Sequence, residues 1–138
     1  MSAIKDYYTI RLHDTDSAGI LFFANQFRIV HDVYENFLMQ IGYGIRERFE
    51  KRDFLIPIVH AKADFLQPLK IGETIEIELS VAEIGQTSFT LHFRLTDSGG
   101  AAAGSVETVH ATVDPKGTKK IDLPDGFRKK LEETNRGS

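Results

Sequence analysis

Apolar residues at Phe27, Val30, Tyr34, Phe37 and Ile41 recur close to the 3.6-residue period, and this spacing predicts a long helix over Phe22–Ile41. Ile29, Val33 and Leu38 add a second apolar flank, so the helix is expected to be wrapped on most sides. Gly42 and Gly44 supply its stop. Upstream, Tyr7–Leu12 is aromatic and β-branched with partial alternation and reads as a strand. The charged run Arg46–Arg52 predicts a short exposed helical turn. From Leu55 onward the period changes to two, predicting strands over Ile58–Phe65, Thr74–Ala82, Thr87–Leu95 and Ala103–Val113. Turn chemistry separates them at Pro68–Glu73, Ile84–Gln86 and Asp97–Gly100, and a short helix is expected around Gly126–Glu133.

One long helix followed by an antiparallel meander predicts an α+β fold, a curved antiparallel sheet wrapped around the helix. Such a sheet has open edges, and Thr87–Leu95 or Ala103–Val113 is expected to pair with a second copy, giving at least a homodimer. Residues 1–134 read as a single domain, and the polar residues 135–138 as a fraying tail.

Composition narrows the function. At 138 residues, with 41% hydrophobic and 27% charged positions, the chain can bury a core without metal or disulfide support. It has no cysteine, which excludes disulfides, thiolate metal sites and cysteine nucleophiles, and fits a cytoplasmic location. The N-terminal residues show no apolar core of signal-peptide length, and no run is long enough for a membrane span. A net charge of −3 argues against nonspecific nucleic-acid binding.

The chemistry concentrates in His13-Asp14-Thr15-Asp16-Ser17-Ala18-Gly19-Ile20-Leu21-Phe22, immediately before the long helix. A helix start offers free N–H groups and the positive end of the dipole, so it can polarise a carbonyl oxygen. A carboxylate beside it is half of an acyl-transfer site. Asp, Thr and Ser before a helix are also its commonest N-caps, and spacing alone favours that reading.

The stretch Arg11–Phe27, with its Asp-x-Asp, glycine, aromatic pair and Asn25, resembles the signature of the hotdog-fold 4-hydroxybenzoyl-CoA thioesterase family. A second block, Pro57–Glu73, is similar to that family's second strand and its Pro-x-x-x-Gly-Glu turn. The resemblance runs from about Asp6 to Val113. It is closest to the branch that hydrolyses 1,4-dihydroxy-2-naphthoyl-CoA, through Phe23–Phe27, His31–Glu35 and Ile58–Ala61. It implies a hotdog fold, a dimer or a tetramer built from dimers, an aryl-CoA substrate and no cofactor beyond the CoA of that substrate. The alternatives are a short- or medium-chain aliphatic acyl-CoA thioesterase and a noncatalytic acyl-CoA-binding module.

By the same resemblance, Asp16 is the catalytic nucleophile or general base, and the Phe23 backbone N–H points at the thioester carbonyl. Asp14 is read as structural, satisfying loop amides. Gly19 is expected to permit close approach of the backbone or positive φ. Asn25 is expected to cap the helix or orient the acyl end, and His60 is either a packed strand residue or a substrate contact, on a face shared with Ile58, Lys62 and Asp64. His31 and Tyr34, three apart on one helix face, read as core or interface residues, with lining of the acyl pocket as the alternative. Candidate cations for the CoA phosphates are Lys62, Lys70, Arg94, Lys116, Lys119 and Lys120. No second His or Asp has ligand spacing to His13 and Asp14, so no metal site is expected. A serine hydrolase is excluded because Gly-x-Ser-x-Gly is missing.

Overall fold

The computed structural model describes residues 4–136, the side chain of the last excepted. The elements run β1 (Ile4–Thr9), a single 3-10 turn (Leu12–Asp14), α1 (Phe23–Gln40), α2 (Ile45–Lys51), β2 (Ile58–Phe65), β3 (Thr74–Ile84), β4 (Ser88–Thr96), β5 (Ala102–Ala111) and α3 (Asp125–Arg136). The five strands form one antiparallel sheet in the order β1-β3-β4-β5-β2. The first strand begins and ends earlier than its aromatic pattern predicts, and α3 continues through Asn135 and Arg136, further than the polar tail suggests. The rest of that tail lies outside the described residues.

The strands bury alternate residues, Ile75, Ile77, Leu79 and Val81 on β3 and Phe89, Leu91, Phe93 and Leu95 on β4, because side chains alternate across the pleat. Helix α1 lays Ile29, Val30, Val33, Tyr34, Phe37 and Leu38 onto that surface. Each fully buried side chain of this size contributes roughly 1.5–3 kcal/mol. Two expectations are corrected here. The helix is not wrapped on most sides, since Arg28, His31, Asp32, Glu35 and Asn36 on its other flank are exposed. The strands over Thr87–Leu95 and Ala103–Val113 are interior, not edges, because β2 returns after the helix to pair with β5.

The sheet edges are therefore β1 and β2. Strand β2 is exposed along nearly its whole length, including Ile58, Val59 and Phe65. A bulge at Val59 changes its phase: Ile58 stands opposite His110, but His60 stands opposite Val109. Ile58, Ala61, Ala63 and Phe65 then share the helix-facing side with His110, Thr108, Val106 and Gly104. Gly104 has room for no side chain, since a Cβ there would lie 3.0 Å from the Asp64 carbonyl and from Gln26 Nε2.

His110 is fully buried and stacked on Phe89, ring centroids 4.9 Å apart at 7°, with the Tyr34 ring 4.5 Å away. Burial, reinforced by nearby His31, pushes its imidazole down from 6.5 to about 3. Between those values the unfolded chain holds a proton that the folded chain does not. Its contribution to stability is therefore complete above about pH 6.5 and declines on acidification, by up to about 1.4 kcal/mol per pH unit. We predict that denaturant titrations show the parent losing about 2 kcal/mol more than His110→Phe between pH 7 and pH 5. Equal losses would contradict a buried neutral imidazole.

Candidate active site

The loop before α1 is built around one buried carboxylate. Asp14 is fully buried and accepts hydrogen bonds from the Tyr8 hydroxyl at 2.6 Å and the Arg11 amide at 2.8 Å, and it pairs with the Arg28 guanidinium. His13 Nε2 lies 3.4 Å away. Burial by itself would raise the Asp14 carboxyl, but the Tyr8 hydroxyl, the Arg11 amide and the Arg28 charge outweigh it and hold the group below the usual carboxylate range. The Asp14 carbonyl in turn accepts from the Phe22 amide and from Asn25 Nδ2, both at 2.9 Å, closing the loop onto the helix start.

From Thr15 to Leu21 the chain makes a small hairpin, with Thr15 bridged to Leu21 and the Asp16 amide donating to the Ile20 carbonyl at 2.9 Å. Asp16 is exposed. Its Oδ1 accepts from the amides of Ala18 at 2.9 Å and Ile20 at 3.3 Å, an arrangement natural to aspartate in a turn. Its Oδ2 has no partner among the described residues. Gly19, at φ 73°, lies in the left-handed region, and its carbonyl accepts from the Ile71 amide at 3.0 Å.

These residues do not cap α1. The residue at the cap position is Phe22, with no side-chain hydrogen bond. Capping by Asp14, Asp16 or Ser17 is thus overturned, because the hairpin places them too far along the chain from the first turn. Asn25 is not a cap either: it sits inside the first turn and donates to the Asp14 carbonyl. Helix α1 accordingly opens with Phe23 as its first residue; the Asn25 amide donates to the Phe22 carbonyl at 2.9 Å, and the amides of Phe23 and Ala24 have no acceptor among the described residues. No side-chain cap occupies the positive end of the helix.

A cavity of about 240 Å³ lies at this helix start, walled by Leu21, Phe23, Gln26, Phe65, Leu66 and Leu69. The Phe23 ring meets the Phe65 ring edge-on at 6.4 Å. Within this chain Asp16 does not line that cavity. His60 is placed elsewhere: the Val59 bulge turns it to the outer face with Lys62 and Asp64, opposite to Ile58. The structure thus brings together Asp14, Asp16, Gly19, Phe23 and Asn25 around one loop, and leaves His60 on the far side of β2.

Of the candidate cations, Lys62 is engaged by Glu107 at 3.6 Å, while Lys70 adjoins the hairpin through a bridge with Ile20. Lys116, Lys119 and Lys120 are exposed near a turn closed by Asp114. The sequence reading missed Gln26, which is buried with Nε2 3.3 Å from the Asp64 carbonyl, tying α1 to the edge of the sheet. A polar residue on an otherwise apolar helix flank was the available signal. It also missed Tyr8 and Arg28, whose shared partner Asp14 is apparent only after folding.

Replacing Asp14 by alanine is expected to lower stability by about 2 kcal/mol, since it strips a buried acceptor from its donors. Because the folded carboxyl is held low, that contribution is present above about pH 4 and is lost as pH falls through the depressed value. Denaturation curves of parent and Asp14→Ala should therefore converge at strongly acid pH. A constant gap down to pH 2 would show that the carboxylate charge is not what holds the loop.

The family model described as "Thioesterase-like superfamily" matches residues 10–131. A 1,4-dihydroxy-2-naphthoyl-CoA hydrolase from Gloeothece citriformis is 36% identical over 121 residues, covering 86% of this chain and 85% of its own. The crystal structure of a 1,4-dihydroxy-2-naphthoyl-CoA thioesterase from Synechocystis superposes with a TM-score of 0.87 at 22% identity, covering 95% of this chain and 96% of that one. A Staphylococcus aureus protein in complex with CoA superposes with a TM-score of 0.92 at 18% identity, over 99% of this chain and 85% of that one. No helix among the described residues is long and apolar enough to cross a membrane.

Proposed function

This chain belongs to the thioesterase-like superfamily, and we propose that it hydrolyses an aryl-CoA thioester, with 1,4-dihydroxy-2-naphthoyl-CoA as its substrate. The named activity of relatives such as the Gloeothece hydrolase supports that choice of acyl group. The observation that carries the chemistry is the uncapped start of α1 beside a hairpin presenting one unengaged carboxylate oxygen.

In this reading the thioester carbonyl sits at the helix start, where the Phe23 N–H donates to it and stabilises the oxyanion as the carbonyl carbon becomes tetrahedral. Asp16 supplies the other half. Its carboxylate either attacks the acyl carbon, expelling CoA thiolate and leaving an anhydride for water to cleave, or takes a proton from the attacking water. Thiolate is a good leaving group, so no further acid, metal or cofactor is required. Gly19 keeps the hairpin tight against Ile71, and Asn25 holds the Asp14 backbone against the first turn. His60 contacts substrate only if a second copy brings it to another subunit's cavity. A reaction of this kind, in a cysteine-free chain, fits the cytoplasm.

We further read β2 as the strand that joins a second copy. It is a sheet edge with Ile58, Val59 and Phe65 exposed, and an unpaired apolar edge of this kind is normally covered. A partner across β2 would lie along the exposed flank of α1 and enclose the Asp16 hairpin, which one chain leaves open. Sedimentation at micromolar concentration should give at least twice the chain mass of 15.5 kDa. A single-chain mass would refute the shared site.

Thiol release from a panel of aryl and aliphatic CoA esters tests the reaction. We expect Asp16→Asn to lower kcat by at least about a hundredfold with little change in melting temperature. Phe23→Tyr should stay within a few-fold of the parent, because only its backbone is used. Undiminished turnover by Asp16→Asn would remove the catalytic assignment. Turnover of aliphatic esters alone would replace the aryl substrate and leave thioester hydrolysis in place.

A further inference from the structure

Further along α1 from Phe23, the groove between helix and β2 widens into a second cavity of about 320 Å³. Its apolar wall includes Phe27, Tyr34, Ile58 and Phe93, and its floor is made by Thr108 and His110. The latter two lie two apart on β5 and so share the helix-facing side, where Thr108 Oγ1 and His110 Nε2 meet at 2.8 Å.

The state of this pair follows from what surrounds it. His110 Nδ1 is buried and has no partner. An orphaned buried N–H is rarer in folded proteins than an unfilled acceptor, so the ring carries its hydrogen on Nε2 and leaves Nδ1 as a bare lone pair. Burial keeps the imidazole neutral, its pKa pushed down to about 3, so protonation does not disturb that tautomer. Nε2–H therefore donates to Thr108 Oγ1. The hydroxyl proton of Thr108 is then directed away from His110, and it has no acceptor among the described residues. The rings of Phe89, at 4.9 Å, and Tyr34, at 4.5 Å, pack against His110.

We propose that this cavity receives the ring of the acyl group and that Thr108, oriented by His110, donates its hydroxyl proton to an oxygen substituent on that ring. The remaining lining adds Val30, Ala61 and the exposed α1 residues Arg28, His31 and Asp32, while Thr108 presents its hydroxyl from the buried side. The pocket thus selects an oxygenated bicyclic or monocyclic aryl group over a bare ring or an alkyl chain. A donor placed for a substrate oxygen, when left unpaired by the wrong ligand, disfavours that ligand. Thr108 is a specificity-determining residue here and His110 a positioning residue. The inference rests on the aryl-CoA reading above and deepens it.

Equilibrium binding of free acids tests the pocket without requiring turnover. Calorimetric titration under reducing conditions with 1,4-dihydroxy-2-naphthoate and with 2-naphthoate, which lacks both hydroxyls, should show the parent binding the hydroxylated acid at least about tenfold more tightly. Thr108→Val should bring the two within about twofold, by weakening the hydroxylated acid alone, while Thr108→Ser keeps the preference. Equal binding of both acids by the parent, or an undiminished preference in Thr108→Val, would overturn the proposal. Thiol release from the two corresponding CoA esters separates this proposal from the one it rests on. Preferential binding without thiol release would remove the hydrolytic reading and support the subsite, and thiol release without any preference for the hydroxylated ring would do the opposite.

Discussion

The buried carboxylate of Asp14 is the constraint on which the rest of the site depends. A charge with no exposure is tolerable only when donors surround it, and Asp14 collects a phenol from β1, an amide from its own turn and a guanidinium from α1. Those three donors come from three elements. Satisfying one carboxylate therefore fixes the end of β1, the 3-10 turn and the first turns of α1 relative to one another. The Asp14 carbonyl completes the arrangement by receiving the Phe22 amide and the Asn25 side chain.

With the base of the loop immobilised, the hairpin beyond it is free to do something else. Asp16 spends one carboxylate oxygen on two amides of its own turn, which fixes its rotamer, and keeps the other available. Two aspartates separated by one residue thus take opposite roles because one points inward to donors and the other outward. The helix start contributes by what it lacks, since no side chain occupies the positive end of α1. In the proposed reaction, preorganised donors of this kind would favour developing charge without having to reorganise.

The sheet order carries a second consequence. Placing β2 beside β5 leaves the groove between α1 and β2 open to one side, and the cavities line that groove from Phe23 and Phe65 at one end to Tyr34 and Ile58 at the other. Gln26 and Gly104 hold the groove at its narrow point, the glutamine reaching across to the β2–β5 ladder where only a glycine leaves room. The exposed apolar residues of β2 and the polar flank of α1 border the same opening.

Local pattern alone was enough for most of the elements and for the loop before α1. The 3.6-residue spacing from Phe27 to Ile41 places α1 almost to the residue, the alternation from Ile58 places the meander, and the Asp-x-Asp with Gly19 marks the loop. These are short-range properties, set by which side chains fall on one face and which backbone angles a glycine permits. Strand order, the Val59 bulge, the uncapped helix start and the burial of Asp14 were decided only by the tertiary structure. Each depends on contacts between distant segments: β2 chooses β5 across the sheet, one extra residue turns His60 outward, and Tyr8 and Arg28 come together around Asp14. Periodicity cannot register a partner that is remote in the chain, and that is why the loop was legible as a motif while the pocket beside it was not.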